Sequence, residues 1–132
     1  MNKIKHRRKV DAIWREKNRE HLRKYQKEWR ANLTDTQKTE RLWGVKRHRH
    51  KKKGTETIPA KIYADWWVKQ KNKCFYCERV PSSKLDLETD RLNSEEGYAL
   101  NNICLACSEC NRCKNNVFTA EQWKEIAQKY LS

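Results

Sequence analysis

No stretch of this 132-residue sequence approaches the ~18–20 consecutive apolar residues that cross a bilayer, so it predicts no transmembrane span. The first eight residues, Met1 to Arg8, carry their charges with no apolar segment behind them and do not read as a secretory leader. Proline (2) and glycine (3) are scarce, and neither occurs between Val10 and Arg30. Hydrophobic residues make up only 36%, matched by 36% charged, with a mean hydropathy of −1.20. That is too polar for a chain packed tightly from end to end. A mass of 16.0 kDa leaves room for one modest domain and an extension. With no export signal, the protein is expected to stay in the cytoplasm. In that reducing compartment six cysteines read as metal ligands, not disulfides.

The charge is divided unevenly. Residues 1–53 hold 20 Lys and Arg against 6 Asp and Glu, the whole net charge of +14, whereas residues 54–132 hold 11 against 11. All six cysteines lie in the second part, as do 34 of the 48 apolar residues. The sequence therefore predicts a basic arm and linker over 1–53 and a neutral cysteine module over 54–132. A polyanion is the expected partner of the arm, and nucleic acid fits better than a membrane surface.

Within the arm, good helix formers predominate, and two helices are predicted, over 10–31 and 35–50, joined near Asn32–Thr34. Thr34 followed by Gln37 has the pattern of a capping box. Trp14, Trp29 and Trp43 are 15 and 14 residues apart, which places them within about 60° on one unbroken helix, with Tyr25 on the same stripe. The stripe either docks the helices or offers aromatics to a nucleic acid. Arg15, Arg19, Arg23, Lys27, Arg30, Arg47 and Arg49 are the candidate phosphate contacts. His48 to Gly54 reads as a solvated linker.

The module opens with a helix start at Thr57-Ile58-Pro59, followed by Ile62, Tyr63, Trp66 and Trp67 at helical spacing. Leu85 to Asp90 alternates like a strand, Asn93–Gly97 supplies turn residues, and Tyr98-Ala99-Leu100 leads into a return strand. A last helix is predicted from a Thr119…Gln122 capping box, burying Trp123, Ile126, Ala127, Tyr130 and Leu131. Cys74, Cys77, Cys107 and Cys110 form two C-x2-C knuckles, the soft tetrahedral donor set of a structural Zn²⁺. The 29 residues between the pairs leave room for the hairpin to be pinned at its root. The rival set, Cys104, Cys107, Cys110 and Cys113, has the rhythm of iron–sulfur ligation but leaves Cys74 and Cys77 without a purpose.

Cys-x2-Cys, a hairpin with Asp90-Arg91 at its first strand end, Gly97-Tyr98, Asn102 and Cys107-x2-Cys110-Asn111-x2-Lys114 together resemble the HNH endonucleases, in their phage and mobile-intron branch. The resemblance covers about residues 60–117. It implies an α+β fold: a small zinc-pinned ββα-metal module with flanking helices, preceded here by the basic helical arm. It further implies that Asp90 and Asn111 ligate one catalytic Mg²⁺ or Mn²⁺, hard donors for a hard ion that polarises the scissile phosphate. Asn102 matches the residue that shapes the loop, and Arg112 and Lys114 are implied to hold flanking phosphates. The departure is Arg91, where the family has the histidine that activates water. Arginine stays protonated and cannot be a base, though it can clamp a phosphate. Glu88, a metal-bound water or a histidine from the arm is left for that role.

The resulting expectation is a metal-dependent DNA endonuclease acting on duplex DNA, with no membrane partner and no small-molecule substrate. The alternative is a non-catalytic zinc protein binding DNA or RNA, derived from such a nuclease. A structural subunit of a larger nucleoprotein assembly is a third reading.

Overall fold

The computed structural model describes residues 2–132. It contains helices α1 (Lys3–Lys17), α2 (Arg19–Ala31), α3 (Asp35–Lys52) and α4 (Ala60–Lys69), strands β1 (Glu88–Arg91) and β2 (Ile103–Ala106), and helices α5 (Ser108–Lys114) and α6 (Ala120–Tyr130). Packing divides the chain into two compact units, one ending at Thr34 and one spanning Asp35–Ser132.

In the first unit, the single helix predicted over 10–31 is two. Asn18 interrupts it, its backbone N–H and side-chain amide both returning to the Trp14 carbonyl at 3.0 and 2.8 Å. An asparagine that caps its own backbone competes with helix continuation, and the residue count could not weigh that. Neither α1 nor α2 contains a buried residue. Trp14 and Trp29 are exposed, while Trp43 is 2% exposed in the second unit, so the three tryptophans are not one stripe.

The second unit begins with α3, which runs through the stretch expected to be a solvated linker. It ends only at Gly54, which takes φ +73° with its N–H on the Lys51 carbonyl, a left-handed cap that glycine adopts without a Cβ penalty. Trp43 accounts for this placement. Its ring stacks on Tyr63 of α4 at 4.0 Å and 9°, meets Tyr98 edge-on at 5.4 Å, and its indole N–H donates to the Ile58 carbonyl at 2.8 Å. A buried indole with its one donor satisfied anchors a helix whatever that helix's charge. The packing boundary at Thr34–Asp35 is thus a different cut from the charge boundary at Lys53–Gly54.

Pro59 precedes α4 with φ −54°, and the Lys84 ammonium closes its far end, donating to the carbonyls of Trp67 and Gln70 at 2.6 Å each. β1 and β2 are antiparallel, pairing Glu88 with Ala106, Thr89 with Leu105, Asp90 with Cys104 and Arg91 with Ile103. The hairpin is shorter than the alternation implied. Residues 84–86 form a 3-10 turn capped by Ser83, and Leu100–Asn102 form another, so the return strand starts at Ile103. Gly97 makes the connection possible, because a Cβ there would lie 2.7 Å from Cβ of Glu56. The core comprises Trp43, Ile58, Tyr63, Trp67, Tyr76, Leu87, Tyr98, Ile103, Leu105 and Trp123 around the cysteine knuckles. α6 starts with the full Thr119–Gln122 capping box and buries Trp123 and Ala127, with Ile126 and Leu131 packed partly against the core; Tyr130 is exposed.

Candidate active site and metal centre

Two knuckles meet beneath the hairpin. The thiol sulfurs of Cys74, Cys77, Cys107 and Cys110 all lie within 4.8 Å of one another, and those of Cys77 and Cys107 are 3.9 Å apart. A disulfide holds its sulfurs at about 2.05 Å, whereas four thiolates ~2.3 Å from a tetrahedral zinc are separated by roughly 3.8 Å. The donor set and spacing fit a structural zinc ion. Local chemistry favours the thiolate at one of the four, Cys77. Burial opposes ionisation of Cys77, but Arg79 Nε at 3.3 Å outweighs it and brings its pKa down to about 7. Burial holds the Cys74 and Cys110 thiols up, so these two need the cation itself to ionise. The two remaining cysteines stand apart: Cys113 is exposed, and Cys104 is buried in β2, its pKa pushed up to about 12 by burial.

Above this metal centre sit the side chains of β1 and α5. Asp90 accepts the Tyr76 hydroxyl at 2.5 Å and lies 3.2 Å from the Lys114 ammonium, both contacts falling on Oδ2. Tyr76 comes from the Cys74–Cys77 knuckle and is wholly buried; burial, with the neighbouring Cys104 and Asp90, raises its pKa and keeps it a donor. Lys114, expected on a flanking phosphate, is instead 1% exposed, with its ammonium also donating to the Arg91 carbonyl at 3.0 Å. An ammonium that deep needs an anion, and Asp90 is that partner.

Asn111 Nδ2 donates to Glu88 Oε2 at 2.7 Å, which leaves the amide oxygen free to turn toward a cation. Asn102 is buried and makes three loop contacts: its Nδ2 donates to the carbonyls of Asn93 and Gly97, and its Oδ1 accepts the Asn93 N–H. Arg91 lies over the Tyr98 ring at 5.2 Å and donates to the Glu96 carbonyl at 3.0 Å. Arg112 is exposed, with Nε on the Ser108 carbonyl at 3.4 Å.

Of the arm's candidate residues, Arg15, Arg19, Arg23, Lys27 and Arg30 are exposed in the first unit, Arg19 paired with Glu16. Arg47 and Arg49 belong to the second unit; Arg49 is exposed and Arg47 half-buried. Sequence reasoning missed Lys46, which reaches to 3.5 Å from the Thr89 carbonyl with Trp43 and Tyr98 rings within 5.6 Å. Burial lowers its pKa against the opposing pull of Glu88 and Asp90. Lys46, Glu88, Thr89 and Asn111 line one cleft of about 300 Å³ beside Trp43 and Tyr63. The tryptophan three residues before Lys46 was the available signal: once Trp43 is core, Lys46 lies on the neighbouring face.

A two-stranded hairpin and a following helix, pinned by four cysteines, define the HNH type of zinc-binding fold. The particular likeness is to the HNH restriction endonuclease PacI, in a structure described as exhibiting an extraordinary mechanism of DNA perturbation. The TM-score is 0.59 at 24% identity, over 74% of this chain and 77% of that one. At that identity the likeness establishes the fold. No family profile and no curated protein matches the chain. No helix among the described residues is long and apolar enough to cross a membrane.

Proposed function

We propose that the protein is a metal-dependent DNA endonuclease that hydrolyses phosphodiester bonds at a single-metal site made by Asp90 and Asn111. The observation that supports this is the seam between β1 and α5, where Lys114 meets Asp90 and Asn111 meets Glu88, on a fold shared with an HNH endonuclease. Tyr76 and Lys114 hold Asp90 by one oxygen, so the other is the donor for a cation. Glu88 holds Asn111 by its nitrogen and leaves the oxygen. A carboxylate and an amide oxygen suit Mg²⁺ or Mn²⁺, which supplies Lewis-acid stabilisation of the scissile phosphate when bound. Arg91, as a fixed cation with a planar donor fork, binds the same phosphate. The exposed cations of α1 and α2, with Arg49 and Arg112, contact the backbone of duplex DNA and set affinity without reading sequence.

One observation favours the second reading, a non-catalytic zinc-containing nucleic-acid-binding protein. The Lys114 ammonium already neutralises Asp90, lowering its appetite for a divalent ion. Incubating the purified chain with supercoiled plasmid and Mg²⁺ or Mn²⁺ decides between them. Nicking that disappears in Asp90→Ala and Asn111→Ala supports the nuclease; an inert wild type that still binds DNA supports the alternative.

A further inference from the structure

We propose that His50, delivered by α3, is the general base that activates water for the cleavage described above, an inference that rests on the nuclease reading. Hydrolysis at neutral pH needs a group able to take a proton, and the residues nearest the site are poorly suited. Arg91 stays protonated. Glu88 Oε2 is taken by the Asn111 amide at 2.7 Å, which leaves Oε1 as the one rival acceptor that the test below separates from His50. The Tyr63 hydroxyl is spent on Thr89, and burial raises its pKa.

The geometry brings a histidine to the same place. Lys46 lies 3.5 Å from the carbonyl of Thr89, the residue before Asp90. His50 is one turn further along α3, an advance of about 6 Å, and Arg91 is two residues further along β1, an advance of about 6.6 Å. Both meet the same ring: His50 lies 4.5 Å from Tyr98 and the Arg91 guanidinium 5.2 Å from it. The imidazole and the guanidinium thus share the Tyr98 ring, which sets His50 beside the residue that follows Asp90. Of the other histidines, His6 and His21 belong to the first unit and His48 is exposed.

The surroundings keep the imidazole basic yet unprotonated. Lys46 and Arg49 act on it from its own helix, Lys53 from the turn that follows, Arg91 from β1, and the Tyr98 ring packs on it from the loop before β2. Burial, and then these cations, hold its pKa below the usual 6.5. In the step, a water oxygen attacks phosphorus while its proton passes to the free ring nitrogen of His50. The P–O3′ bond breaks with its electron pair on O3′, which takes a proton from solvent. The products are a 5′-phosphate and a 3′-hydroxyl.

The test compares His50→Gln and His50→Ala with Asp90→Ala in the zinc-loaded full chain, on supercoiled plasmid with Mg²⁺. His50→Gln is expected to cleave at least about 100-fold more slowly while holding DNA within twofold of wild type. The wild-type rate should rise with pH through a single step below 6.5 and then level, a step absent in His50→Gln. Added imidazole should restore part of the His50→Ala rate. His50→Gln cutting within threefold of wild type while Asp90→Ala is dead would overturn the base and leave the nuclease standing. The same holds if the pH step persists in His50→Gln and vanishes in Glu88→Gln or Tyr63→Phe. A wild type that never cuts overturns the nuclease reading itself.

Discussion

Charge and burial divide this molecule differently, and α3 is where they disagree. Residues 1–34 carry 12 Lys and Arg against 4 Asp and Glu, and no residue of their two helices is buried. Residues 35–53 are nearly as basic, 8 against 2, yet contribute Trp43 and Thr39 to the interior. A helix with so little core behind it relies on propensity and on its partner for order, because helical stability comes mainly from packing. α3 has a similar charge balance and is held chiefly by the contacts of Trp43. Composition reports what a segment can bind; a single buried side chain decides what it belongs to.

Several experiments break or sharpen that contrast. The largest effect should come from the metal centre. Cys107→Ser, or a strong chelator, should unfold the second unit, since structural zinc in small modules contributes on the order of 10 kcal/mol to folding. Loss of near-ultraviolet circular dichroism together with zinc release reports it; zinc retained in Cys107→Ser would refute the assignment.

Two truncations come next. Deleting residues 1–34 removes +8 of the net +14 and should leave the thermal midpoint of the remainder unchanged. DNA affinity should fall, and the slope of log K against log salt should flatten by about 0.9 for each phosphate that the shortened chain no longer neutralises. Deleting residues 1–53 also removes Trp43 and should destabilise the module by roughly 3–5 kcal/mol, as for loss of a buried aromatic. Equal melting temperatures for the two truncations would mean that charge, not packing, marks the true boundary.

Arg91→Ala should slow cleavage by roughly 100-fold with little effect on binding, as for removal of one preorganised electrostatic interaction, and Arg91→Lys should recover only part. A wild type no faster than Arg91→Ala would make Arg91 a bystander. The smallest effects belong to the cysteines outside the metal centre. Cys113→Ser, on the surface, should be silent in urea melts, and Cys104→Ser should cost about 1 kcal/mol because it buries a hydroxyl in β2.

Much of this was legible from residues alone, for reasons that can be named. The knuckle cysteines are found by spacing because tetrahedral thiolate ligation permits few spacings, and the Thr119–Gln122 cap by two residues three apart. The break at Asn18 was not legible, since helix propensity rises and falls by tenths of a kilocalorie there. Lys114 and Tyr76 were hidden for another reason. Their placement depends on tertiary burial beside Asp90, and a lysine at the end of a basic motif gives no sign that it points inward. The short hairpin was misjudged because Leu85 and Leu87 alternate like a strand, although the Ser83 cap winds residues 84–86 into a turn.

The 29-residue span between the knuckles has a further consequence, for tolerance to change. Once four thiolates close its ends, that span is a ring, and enlarging a ring is cheap: each doubling costs only about 0.6 kcal/mol of closure entropy. Val80, 70% exposed, begins the stretch Val80-Pro81-Ser82 that leads from the first knuckle to the Ser83 cap. Added residues there would lengthen the ring without touching the Asn102-braced loop or the Asp90 pocket. The metal thus holds a site steady while leaving one arc of chain open to insertion, and a variant with a dozen residues inserted after Val80 should keep its zinc and its melting temperature within a few degrees.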